Sequence, residues 1–192
     1  QVVKELSVDS PSDVHLIQMK GAIPSYTYEQ GVAARKAGKP MRSDMVYSRG
    51  ASALGAAVAL GEVKISELTD EKICSDWSKF SSTASCSAKP GLKRTEVMVM
   101  ANSPCWTGDL VINSGIVRDM IDADSIREVM SGLGEGMRVT GQATPEQTKR
   151  LLGIFGKSEA DPRGEIRGAR HTMLTDDDIS DTRYSRCVLA SV

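Results

Sequence analysis

Apolar positions in this chain fall into short, well-separated runs whose spacing predicts alternating strands and helices. Residues 2–6, Val-Val-Lys-Glu-Leu, read as the last turn of a helix, and Ser10-Pro11-Ser12-Asp13 as a turn. The run Val14-His15-Leu16-Ile17-Gln18-Met19 predicts a buried strand that ends at Lys20. A helix is expected over 26–37, stopped by Gly38-Lys39-Pro40. Residues 50–60 are almost all Ala, Gly, Ser, Leu and Val, which suits a close-packed helix whose N-terminus begins beside Arg49. Residues 80–88 read as an extended segment ending in a small-residue turn, closed by Pro90-Gly91.

The second half restarts the alternation. Glu96-Val97-Met98-Val99-Met100 predicts a strand, broken by 103–108. Asp124-Ser125 can cap a helix that places Ile126, Val129, Met130 and Leu133 on one face. A Gly-rich loop over 134–145 and a helical turn from Glu146 lead to a second strand-like run, 151–157, ending in Lys157. Two similar successions of strands and helices predict an α/β (α+β) fold built from repeated domains, 1–92 and 93–192.

The repeat is visible in the residues themselves. Ser43-Asp44-Met45-Val46-Tyr47-Ser48-Arg49 returns as Ser180-Asp181-Thr182-Arg183-Tyr184-Ser185-Arg186, matching at five positions with an offset of 137. Lys20 precedes Arg49 by 29 residues, and Lys157 precedes Arg186 by the same 29. The charges keep register while the apolar residues drift, as expected of groups that meet a common ligand. The period is domain-sized, so this is no short-period solenoid.

Composition narrows the partners. A net charge of −1 over 192 residues gives no electrostatic reason to expect nucleic acid or an anionic membrane. No apolar run reaches the length of a membrane span. Cys74, Cys86, Cys105 and Cys187 show no CxxC spacing, and the simplest expectation is reduced thiols in the cytoplasm. His15 and His171 are too few and too distant for a typical catalytic zinc site. The chain opens on Gln and stops inside the second copy of the small-residue run, so it is expected to be an internal piece of a longer protein.

Lys20 closes an apolar strand, where an amine can be partly desolvated and serve as a base; the bland alternative is a lysine snorkelling to water. Its recurrence as Lys157 favours chemistry. Arg49 and Arg186 offer planar paired donors to carbonyl oxygens, or else salt bridges to Asp44 and Asp181 in the same phrase. Ser81, Ser82, Ser85 and Ser87 crowd one stretch, and a serine needs a base to become a nucleophile. Lysine can be that base. Ser87 is preferred for its small neighbours Ala88 and Gly91, with Ser85 as the rival. Cys86 has no histidine placed to activate it and reads as structural. Glu159 has no copy after Lys20, and its spacing alone reads as a loop charge.

Several segments together resemble the ring-opening amidohydrolases, the family of cyanuric acid hydrolase and barbiturase. They are Asp13-Val14-His15-Leu16-Ile17-Gln18-Met19-Lys20, Tyr47-Ser48-Arg49-Gly50-Ala51-Ser52-Ala53-Leu54-Gly55, Ser82-Thr83-Ala84-Ser85-Cys86-Ser87-Ala88, Lys157-Ser158-Glu159-Ala160 and Arg167-Gly168-Ala169-Arg170-His171-Thr172-Met173-Leu174. The resemblance implies three similar domains around a pseudo-threefold axis, each giving a Lys, an Arg and a Ser to a central site. It makes 1–92 most of the second domain and 93–192 the first part of the third, with the first domain absent.

It further implies Lys20 and Ser87 as base and nucleophile. Arg49, Arg186 and Lys157 become substrate-binding residues, and the Ala88 backbone N–H a donor to a substrate oxygen. Glu159 becomes a ligand of a structural divalent metal, Mg or Ca, and no organic cofactor is implied. The expected reaction is hydrolytic opening of a cyclic amide, most simply cyanuric acid to carboxybiuret and then biuret, in a homo-oligomer, a tetramer. Barbituric acid is the alternative substrate. Barbiturase-like members tend to lack the arginine that stands here as Arg49, which favours cyanuric acid. A non-catalytic ligand-binding protein of the same fold is the rival from another class. The departures Gly21-Ala22-Ile23-Pro24 and Ala88-Lys89-Pro90-Gly91 flank the dyad and bear on substrate choice.

Overall fold

The computed structural model describes residues 1–39, 41–119, 121–157 and 165–170. Two compact units divide the chain, Gln1–Ile112 and Asn113–Val192. The first is organised by one long strand, β1 (Val14–Ile23), which follows a short helix α1 (Val2–Glu5) and a single 3-10 turn. After β1 come α2 (Tyr28–Lys36) and α3 (Met45–Leu60), then the strands β2 (Ala84–Pro90) and β3 (Glu96–Ala101). The sheet order is β2-β1-β3, with β2 parallel and β3 antiparallel to β1. Parallel pairing needs a crossover, which the α2–α3 segment supplies. The architecture is α/β with a mixed sheet, as the alternation predicts.

β1 alternates strictly beyond its bulge near Val14. Ile17, Met19, Gly21 and Ile23 are buried, while Leu16, Gln18, Lys20 and Ala22 are only partly covered. Period-two alternation assigns these two sets to opposite faces. The buried face meets α3, and Val14, Ile17, Met19, Ala56 and Cys86 form the core, flanked by Ala53, Leu60 and Val99. Burying a side chain such as Ile17 or Met19 contributes about 1.5–3 kcal/mol relative to exposure. Cys86 thus has the structural role its sequence context indicates. Cys74, Cys86 and Cys105 are all thiols rather than disulfides.

Several boundaries differ from the sequence expectation, each for a local reason. β1 continues to Ile23 instead of stopping at Lys20, because Gly21, Ala22 and Ile23 pair with Ala88, Lys89 and Pro90 of β2. α3 begins at Met45 rather than beside Arg49, because Asp44 is its N-cap: its Oδ1 accepts from the Tyr47 N–H at 2.6 Å. Arg49 therefore lies in the second turn of the helix. Asp44 is thus a cap, and among the described residues it forms no ion pair with Arg49. Gly61, in the left-handed region at φ 77°, ends the same helix. Ser87 and Ala88 sit in strand, not in a turn. The first compact unit runs to Ile112, since β3 adds to the sheet of β1.

The second unit contains α4 (Ala123–Ser131), α5 (Pro145–Arg150) and a small hairpin of β4 (Glu165–Ile166) and β5 (Ala169–Arg170). α4 is capped by Asp122, not Asp124. The Asp122 carboxylate takes two bonds from the Arg118 side chain, at 2.7 and 2.9 Å, and a third from the Ser125 hydroxyl at 2.7 Å. Those charge-assisted bonds hold its carboxyl far below the usual carboxylate range. Residues 151–157 form no strand, contrary to expectation; among the described residues their backbone finds no strand to pair with, and an apolar run alone cannot supply one.

Candidate active site

The candidate residues Lys20 and Ser87 lie within the parallel pair β1 and β2. Ile17 donates its N–H to the Thr83 carbonyl at 3.1 Å, which sets the ladder in phase. In that phase Lys20 and Ser87 are directly paired across the two strands. Both lie on the face opposite α3, since their neighbours Met19, Gly21, Cys86 and Ala88 are the buried ones. Ser85 pairs with Gln18 instead, one row away. Of the two serines the sequence leaves open, register therefore favours Ser87 as the partner of Lys20.

The serine cluster divides by function in the fold. The Ser81 hydroxyl oxygen accepts from the Thr83 and Ala84 N–H groups, opening the strand, and Ser82 bonds the Glu62 carboxylate. Ser85 and Ser87 are left on the strand face. The Ser87 hydroxyl donates to the Met19 carbonyl at 3.4 Å, a long bond that leaves it readily redirected. Among the described residues no carboxylate forms an ion pair with Lys20.

The same ladder phase has a consequence for Ala88. In a parallel pair alternate residues of each strand bond the neighbour. Ser85, Ser87 and Lys89 turn their backbone groups toward β1, so Ala88 turns its N–H toward the outer edge of the sheet. β2 is the edge strand of this three-stranded sheet. The N–H of Ala88 is thus directed away from the ladder, where a ligand oxygen can meet it.

Arg49 comes from the helix. The Ser48 hydroxyl donates to the Ala22 carbonyl at 2.9 Å, which ties the start of α3 to the strand just past Lys20. Arg49, the next residue, is partly buried there. Its close neighbour Tyr47 has Arg42 stacked 4.4 Å from its ring centroid. Burial and the nearby Asp70 push the Tyr47 phenol up, against the opposing pull of Arg42, so it remains a neutral donor at ordinary pH.

The first unit thus pairs Lys20 with Ser87, which Ala88 follows in β2, while Arg49 stands on α3, packed on the other face of the sheet. Lys157 belongs to the second unit, in the exposed run 151–157. Glu159 and Arg186 lie outside the described residues. Among the described residues no group of three or more His, Cys, Asp or Glu is placed to hold a metal ion. No helix among them is long and apolar enough to cross a membrane. Two features escape the sequence reading. Glu96 is the antiparallel partner of Lys20, and Gly21 is pressed against Ser48 and Ser52. A charge opening an apolar strand was the only signal for Glu96, and nothing in sequence says which residue it faces.

Known proteins resemble this chain along nearly its whole length. Cyanuric acid amidohydrolase of Enterobacter cloacae is 40% identical over 197 residues, covering 100% of this chain and 52% of the relative. The Bradyrhizobium sp. (strain ORS 375) protein of the same name is 39% identical, covering 96% and 50%. A solved cyanuric acid hydrolase, described as an evolutionary innovation by structural concatenation, superposes with a TM-score of 0.78 at 39% identity, over 98% of this chain and 51% of its own. The cyanuric acid hydrolase from A. caulinodans gives 0.72 at 35%, over 98% and 52%. The chain spans about half the length of the relatives it matches. Residues 1–192 match the family described as amidohydrolase ring-opening protein (Amido_AtzD_TrzD), and the chain belongs to that family.

Proposed function

We propose that this chain supplies a Ser–Lys catalytic pair to a hydrolase that opens the ring of cyanuric acid. The pairing of Lys20 with Ser87 across β1 and β2 carries the reading. Lys20 takes the hydroxyl proton of Ser87 as the serine oxygen bonds to a ring carbonyl carbon. The outward-turned N–H of Ala88 donates to the oxygen that gains charge. Lys20 returns the proton to the ring nitrogen as the C–N bond breaks, leaving an acyl group on Ser87. Water then releases that group as carboxybiuret, which loses carbon dioxide to give biuret.

Arg49 binds a second carbonyl oxygen of the flat ring, and Arg186 and Lys157 serve the same ligand as their repeat counterparts. A triazine trione, with three equivalent carbonyls, suits a set of donors repeated in sequence. Glu159 is assigned as a carboxylate ligand of a structural divalent cation, Mg or Ca, on its position in the Lys157-Ser158-Glu159 phrase. A cytoplasmic homo-oligomer, a tetramer, completes the reading. The test is ring opening of cyanuric and barbituric acids, side by side, by the full-length protein. Turnover of cyanuric acid is expected; turnover of barbituric acid alone overturns the substrate, and turnover of neither overturns the reaction.

A further inference from the structure

The three elements packed against β1 carry few ionisable groups. β2 contributes Cys86, on the buried face, and Lys89, which pairs with Ala22 on the same face as Lys20. α3 contributes Tyr47 and Arg49, and it covers the opposite face of the sheet. β3 contributes Glu96 alone. On its own face Lys20 thus has one further cation, Lys89, and one acid, and that acid is its direct cross-strand partner.

The pairing is close. The ladder phase that bonds Ser87 to β1 turns the backbone groups of Lys20 toward β3, so Lys20 and Glu96 form one of the hydrogen-bonded pairs of the antiparallel ladder. Side chains of such pairs leave the same face, with Cβ atoms about 5 Å apart. Ser87, Lys20 and Glu96 therefore form a single row across three strands. In this structure the two side chains are not in ion-pair contact, so the coupling is one of proximity.

We propose that Glu96 is a positioning residue for Lys20, its carboxylate steadying the ammonium that Lys20 becomes on accepting the proton of Ser87. The inference rests on the Ser–Lys reading given above. The proton leaves the Ser87 oxygen as that oxygen bonds to the ring carbonyl carbon, resides on Lys20, and passes to the ring nitrogen as the C–N bond breaks. No further reactant is needed for this step. Glu96 acts while the charge is on Lys20; Lys89 on the same face acts against it, which is why the single acid in the row matters.

Two readouts test the proposal in the full-length protein. Competitive acetylation of amines across pH 7–11, read by peptide mass spectrometry, follows the titration of Lys20 without any need for turnover. Removing an anion favours the neutral amine, so the Glu96→Gln midpoint is expected to fall by roughly half a pH unit, with Lys149 as an unmoved control. The acidic limb of the ring-opening rate should move down by the same amount and the plateau fall several-fold. Glu96→Asp should restore both in part. A Lys20 midpoint that stays put in Glu96→Gln overturns the proposal, whatever the activity. A rate profile unmoved beside a shifted midpoint overturns the catalytic role and leaves a cross-strand pair. If the unaltered protein opens no cyclic imide, the Ser–Lys reading fails and the role of Glu96 with it; an unmoved midpoint in an active protein overturns the Glu96 proposal alone.

Discussion

A β-carbon on Gly21 would stand 2.7 Å from the hydroxyl oxygen of Ser48 and 2.8 Å from that of Ser52. Glycine is what lets β1 and α3 approach so closely one residue beyond Lys20. Gly21→Ala is expected to overpack this contact and cost about 1–3 kcal/mol. Urea unfolding should show a lower midpoint with an unchanged slope. The strain falls on the turn that carries Arg49, so substrate affinity should fall with it. A variant of unaltered midpoint would show that the helix can yield without cost.

The pairing of Lys20 with Ser87 makes a sharper demand. Lys20→Ala and Ser87→Ala are each expected to reduce turnover by about three orders of magnitude, and the double variant little further, because the two act as one unit. Lys20→Ala should still bind cyanuric acid by calorimetry. Ser85→Ala, which alters the neighbouring row, should keep most activity. Loss at Ser85 with retention at Ser87 would move the nucleophile to the other serine.

Arg49 separates ligand binding from structure. Arg49→Lys keeps the charge but loses the planar pair of donors, and should raise the KM for cyanuric acid about tenfold with little change in kcat. If the guanidinium serves only as a structural tie, the change will appear in the unfolding midpoint and leave KM alone.

Asp122 controls the acid stability of α4. Its folded carboxyl is held well below its unfolded value by Arg118 first and by Ser125 next. A depressed folded value means the stabilisation is complete above about pH 4, where the unfolded carboxyl is also ionised, and is lost as pH falls below it. Unfolding midpoints at pH 7, 4 and 3 should therefore drop more steeply for the unaltered protein than for Asp122→Asn. Parallel curves would show that another carboxylate sets the acid limit.

Much of the fold was legible because burial imposes periodicity. The runs at 14–19 and 96–100 had no other use than strands, and the small-residue stretch at 50–60 had to be a helix that packs closely. The misplaced ends have a common cause. A salt bridge to Asp44 was only the alternative for Arg49, and in the fold the Asp44 carboxylate accepts the Tyr47 N–H as a helix cap, which starts α3 at Met45. Asp124 was read as the cap of the next helix, whereas Asp122 caps it, held by Arg118 in the folded chain. The run at 151–157 was read as a strand from its apolar residues, but a strand also needs a partner.

By itself the sequence determined the family, the alternation of strands and helices, and the charged residues that a site would draw on: Lys20, Arg49 and a serine near 87. Those properties are local or are carried by matched spacing, and both survive in a linear string. Tertiary structure decided which serine meets the lysine, that Ala88 turns its N–H to the sheet edge, and that Glu96 stands in the same row. Register is the reason. A shift of one residue between β1 and β2 would exchange every facing side chain without altering a single local preference, and only the packing of Met19, Cys86 and Ala56 in one core fixes it.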